Sequence, residues 1–124
     1  MVIREIIQNA ALVLGLSDVV ELKEDFLDNT NYRVLLRCAY LSSALLQSQF
    51  TQREYADIPV IETGEEVYSF EFPSAVLEFG IMSEYAFLNG MWNEAQVWNE
   101  KMRELLFGHK STAVVIPQTF SGRR

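Results

Sequence analysis

Apolar side chains return every three or four residues at the start of the chain: Ile3, Ile7, Ala10 and Leu14 share one line, which Val2, Ile6 and Val13 widen. That period predicts an amphipathic helix of about 13 residues, and Gly15 stands where a left-handed residue closes one. Ser17 and Asp18 then offer capping oxygens, with Glu21 three positions beyond Asp18 as in a reciprocal capping box, so a short helix is expected to about Leu27. The polar run Asp28, Asn29, Thr30 and Asn31 punctuates the chain and offers the next cap.

From Tyr32 to Phe50 the helical period returns, with Val34, Cys38, Leu41 and Leu45 on one line and Leu35, Ala39 and Leu46 on another. So wide a stripe predicts a central helix covered on two faces. Arg33 and Arg37 are four apart on it, a local repulsion of a few tenths of a kcal/mol that marks a candidate contact surface.

Between Thr51 and Pro73 the period changes. Ile58, Val60 and Ile61 precede the turn-like Glu62, Thr63, Gly64 and Glu65, after which Tyr68, Phe70 and Phe72 alternate with Ser69 and Glu71. Alternation of this kind predicts a β-hairpin over about 58–72, which needs helices or another chain to lie against.

Ser74 is the expected cap of a helix to about Leu88, with Leu77, Ile81, Tyr85 and Leu88 as its apolar line. Asn89 and Gly90 suit a reversal through positive φ, and a second helix from Met91 to about Phe107 then folds back, capped by Gly108. Its apolar positions are Met91, Ala95, Trp98, Met102 and Leu105, and Trp92 lies outside them. The expected architecture is a mainly α (α+β) fold: a four-helix core over residues 1–108 with a central β-hairpin insertion, and an extended C-terminal arm over 109–124.

Composition narrows the functional field. The chain has 124 residues, 49% of them apolar, enough for one domain with its own core. Its net charge is -7, which argues against gripping nucleic acid, a task that needs cationic neutralisation of phosphates. The charge is uneven: residues 54–104 carry eleven acids against two bases, whereas residues 105–124 carry three bases and no acid. Such an arm is suited to another acidic surface. One cysteine rules out an internal disulfide and a thiolate zinc cluster, and a soluble protein of a reducing cytosol is expected, with no membrane segment.

Catalytic groups are sparse. His109 and Cys38 are the single histidine and cysteine, and Cys38 falls on a buried helical line. Glu24 and Asp28, four apart, could face a hard cation, although neither a histidine nor a calcium-loop spacing joins them. The six glycines never form a phosphate-binding loop. No enzyme activity, cofactor or metal is therefore expected. Aromatic bulk is the more telling feature: Tyr68, Phe70, Phe72, Phe79, Tyr85, Phe87, Trp92 and Trp98 crowd one stretch, either as core or as an oligomer seam.

The run from Phe79 and Gly80 through Ser83, Glu84, Tyr85, Asn89 and Gly90 to Glu94, Ala95 and Trp98 resembles the closing helical hairpin of tailed-phage and prophage head-to-tail adaptor (connector) proteins. The opening helix with its Leu14-Gly15 corner is similar to theirs. The resemblance implies a structural, non-enzymatic ring, commonly of twelve subunits, in the virion at the head-tail junction and assembled in the bacterial cytoplasm. Its partners would be further copies of itself, the portal, and a tail or tail-completion protein, with DNA passing through unbound. On this reading Tyr68, Phe70, Phe72, Trp92, Trp98, Phe120, Arg123 and Arg124 are interface candidates, and Gly15, Asn89, Gly90 and Gly108 are structural turns. The alternative expectation is a small soluble protein-binding module of unrelated function, using the Tyr68 to Phe72 edge and the aromatic face.

Overall fold

The computed structural model describes residues 1–50 and 61–107, and helices dominate them. In chain order these are α1 (Ile3–Leu14), the single-turn α2 (Ser17–Val20), a 3-10 turn at Phe26–Asp28, α3 (Thr30–Phe50), α4 (Ser74–Leu88) and α5 (Trp92–Phe107). Helix α4 packs against α1, α3 and α5, and α1 also meets α2 and α3. Ile3, Ile6 and Ile7 of α1, Tyr32, Leu35 and Cys38 of α3, and Val76, Leu77, Ile81 and Met82 of α4 form the buried centre.

Helix ends follow the glycines. Gly15 has φ +79°, its N–H reaches the Leu12 carbonyl, and the Leu16 N–H reaches that of Ala11, a Schellman closure of α1. The same pair of bonds closes α4: Gly90, at φ +72°, donates to the Phe87 carbonyl and Met91 to that of Ala86. Gly90 alone takes the left-handed conformation there, since Asn89 has φ -97°. Gly108 and the arm at 109–124, with His109, Phe120, Arg123 and Arg124, lie outside the described residues.

Two expected caps, at Asp18 and Ser74, are placed differently, and one falls within the expected polar run. The second helix stops at Val20 instead of Leu27, and Asp25 within the expected span takes a left-handed φ of +55° that a helix cannot hold; Asp18 does not cap it, its carboxylate instead accepting from the Asn29 and Asn31 side chains at 3.2 and 3.0 Å and tying α2 to the start of α3. Asn29 is the residue that caps α3, its Oδ1 accepting the Tyr32 N–H at 2.8 Å. Pro73, with no side chain able to accept, precedes α4 where Ser74 was expected to cap, and its fixed φ directs the chain into the helix.

The central β-hairpin is the principal correction. Residues 58–60 lie outside the described set, and no strand forms anywhere among the described residues; an isolated antiparallel bridge joins Val2 to Val67. The fold of the described residues is therefore α-helical, not α+β. The rings of Tyr68 and Phe72 stand 6.3 Å apart, whereas residues four apart on a strand are separated by about 13 Å. Phe70 touches both, and the Tyr68 hydroxyl donates to the Phe72 carbonyl, so the alternating aromatics curl into a cluster.

Backbone groups that a ladder would use are taken elsewhere. The Glu66 carboxylate accepts the N–H groups of Glu62, Thr63 and Gly64 at 2.9, 3.1 and 2.8 Å. The carbonyls of Glu66 and Gly64 accept the N–H groups of Ile3 and Arg4 at 2.9 and 2.6 Å, and Tyr68 donates to Met1 at 2.8 Å. The loop thus caps the first turn of α1, whose N–H groups have no partner within the helix. Burial pushes the Glu66 carboxyl up, but these N–H donors outweigh it and leave it below the ordinary carboxylate range.

Gly64 has φ +92°, and a Cβ there would lie 2.0 Å from the Tyr32 hydroxyl oxygen, which itself donates to the Thr63 carbonyl at 2.7 Å. Gly90 has open space around it. Urea unfolding should therefore show Gly64→Ala costing about 3 kcal/mol, backbone strain plus a clash, against about 1 kcal/mol for Gly90→Ala, which carries backbone strain alone. Equal losses would mean that the loop does not sit against Tyr32.

Candidate protein-binding surface

The reversal at Gly90 brings Phe87, at the end of α4, beside Trp92, the first residue of α5. Their rings meet edge to face at 4.9 Å, and yet Phe87 is 57% and Trp92 60% exposed. Leu88 and Met91, between them in sequence, are also exposed. Two large aromatic rings in mutual contact but uncovered at a helical tip form the kind of patch that marks an interaction site.

Below the pair, α4 and α5 part to leave a shallow groove of about 490 Å³ lined by Ser83, Glu84, Phe87, Trp92, Ala95, Gln96 and Asn99. The Ser83 hydroxyl donates to the Ala95 carbonyl at 2.9 Å and holds the two helices together at its floor. A second groove of about 340 Å³ continues from Asn99 past Met102 and Leu106 to Leu45 and Leu46 of α3. Leu45 and Leu41, both expected on a buried line of α3, are exposed on this helix.

Glu84 faces the first groove. Burial raises its carboxyl above the ordinary range, and among the described residues the one ion pair is Arg4–Glu65, so no cation answers Glu84. The nearby Cys38 thiol is pushed up to about 12, first by burial and then by the charge of Glu84. At neutral pH it is a protonated core thiol without nucleophilic character. Among the described residues no group of three or more acids, histidine or cysteine is arranged to hold a metal, and Glu24 and Asp28 are both exposed.

The other interface candidates fall in different environments. Phe72 is buried, while Tyr68 and Phe70 are half-buried and packed on the core, so they present no strand edge. Trp98 is half-buried and stacked on Phe79 with ring centroids 5.9 Å apart, fastening α5 to α4. Trp92 stands outside, as its place off the apolar line of α5 implies. Phe87 and Glu84 were not singled out by the sequence as site residues. The signal was nonetheless present: Phe87 and Trp92 flank Asn89-Gly90, and any reversal there makes them neighbours, with Glu84 one turn behind.

No family model, curated protein or solved structure matches the chain.

Because the folded state holds the Glu84 proton more tightly than the unfolded chain does, this group is destabilising at neutral pH. That effect shrinks as pH falls through its folded value and is gone below its unfolded one. Glu84→Gln should accordingly stabilise the protein at pH 7 by less than about 0.5 kcal/mol, because solvent screens this half-exposed group, raising its melting temperature, and have no effect near pH 3. A loss of stability at pH 7 would show that a cation holds Glu84 in the folded protein.

Proposed function

We propose that the chain is a small helical protein-binding module that acts by contact and not by catalysis. The observation that carries this reading is the exposed Phe87-Trp92 pair above a groove containing a half-buried carboxylate that no cation among the described residues answers. An aromatic pair held rigid by a Schellman turn loses little freedom on binding, and central aromatic residues dominate binding energy at protein interfaces. Glu84 favours a partner that brings a basic side chain beside an apolar one, since such a contact neutralises a charge already stripped of part of its water.

A second reading has its own support. The block at 79–98 that resembles phage connector proteins lies on two antiparallel helices turned at Gly90, with Trp92 outside, the shape a ring subunit would present to a neighbour or a portal. The acidic body and basic arm suit this reading as well. It specifies the partners as further copies of the chain and a portal protein.

A photo-crosslinking amino acid at position 92, in the cell that makes the protein, should yield a discrete product that the same group at exposed Leu12 does not. Phe87→Ser combined with Trp92→Ser should abolish partner capture while changing stability by no more than about 0.5 kcal/mol per site. Products of the same kind from both positions would sink the proposed surface. A product containing the chain itself or a portal protein, with rings in electron micrographs of the mixture, would select the connector reading.

A further inference from the structure

The arginine pair on α3 is not used by the surface just described. Arg33 and Arg37 lie one helical turn apart, are both exposed, and repel each other. The chain has 17 acidic residues, yet among the described residues neither arginine meets a carboxylate at ion-pair distance. Both heads are nevertheless held in place. The Arg33 Nη1 donates to the Leu27 carbonyl at 3.0 Å, and the Arg37 guanidinium lies 5.8 Å from the centre of the Tyr40 ring.

Between them opens a groove of about 450 Å³ whose apolar walls are Leu27, Leu36, Tyr40 and Ile61, with Glu62 at its edge. We propose that this groove docks a short acidic segment of a protein partner, its carboxylates on Arg33 and Arg37 and an adjacent apolar side chain on Leu27 and Tyr40, the accessible apolar walls. The guanidinium fork matches a carboxylate through paired N–H donors, and restraint of both heads before binding lowers the entropy lost on contact. Charge complementarity selects this occupant. A polyphosphate such as nucleic acid gains from many cations, whereas two arginines line this groove, a number matched to one or two carboxylates. A free anion would leave the apolar walls unused.

The test uses the full chain and an amidated peptide Glu-Leu-Phe-Asp-Leu, followed by side-chain NMR. The peptide should shift the Arg33 and Arg37 Nε–H signals and the Tyr40 ring, saturably and less at high salt. Its affinity should fall about tenfold or more when Gln and Asn replace its acids, and likewise in the protein carrying Arg33→Gln and Arg37→Gln. Lysine at both positions should recover only part of the loss, because the charge returns without the fork. The Phe87→Ser, Trp92→Ser protein should bind the peptide normally, which separates this site from the α4–α5 tip. Equal binding of the neutral peptide, shifts confined to other residues, stronger effects from inorganic phosphate or a DNA duplex, or no shift at millimolar peptide would each overturn the proposal.

Discussion

The first turn of an α-helix leaves N–H groups without partners, and that of α1 is completed from sixty residues away. The carbonyls of Gly64 and Glu66 accept the N–H groups of Ile3 and Arg4, while Glu5 turns its own carboxylate back to the Val2 N–H at 2.8 Å. For those carbonyls to point at α1, the loop must hold a tight shape. The Glu66 carboxylate supplies it by gathering three consecutive N–H groups, and Gly64 permits it by adopting a positive φ directly against Tyr32. The Tyr32 hydroxyl fastens the opposite side by donating to Thr63, and burial lifts that phenol to about 12, so it stays a donor at any physiological pH. The N-terminus, the loop and α3 are joined at this point.

With that junction in place, α1, α3 and α4 enclose the core and α5 attaches to one side of it. Of its residues Ala95 alone is buried, while Trp98, Met102 and Leu106 pack partly against the core. A helix held along a single stripe leaves its other faces to solvent, and its junction with α4 projects as a tip. The aromatic surface at Phe87 and Trp92 follows from this arrangement. It is the outer end of a hairpin whose inner length is fixed by the Phe79-Trp98 stack and the Ser83-Ala95 bond.

The two surfaces have opposite chemistry. At the tip, two aromatic rings share a groove with a carboxylate that no described cation answers; on α3, a pair of guanidinium groups overlooks apolar walls with Glu62 at the edge, and neither guanidinium pairs with a described carboxylate. In each case a charge of one sign sits beside apolar area, a combination that favours a partner supplying both complements at once.

The bounds of α1, α3 and α4 were legible because they are set locally, whereas α2 ended about two turns short of its expected bound. Gly15 and Gly90 determine where α1 and α4 end, Asn29 supplies an oxygen where α3 begins, and the three-to-four residue period of Ile3, Ile7 and Ala10 fixes which side of α1 turns inward. The alternation of Tyr68, Phe70 and Phe72 was equally local but ambiguous, because a strand and a curled aromatic cluster both bury alternate rings. The deciding terms were distant: the open N–H groups of α1 claimed the carbonyls at 64 and 66, and Glu66 claimed the N–H groups at 62–64. In the same way the sequence placed Leu41, Leu45, Met91 and Leu105 on apolar lines, and the tertiary packing leaves all four at the surface. Periodicity states which residues share a face, and the three-dimensional packing of the other helices decides whether that face is covered.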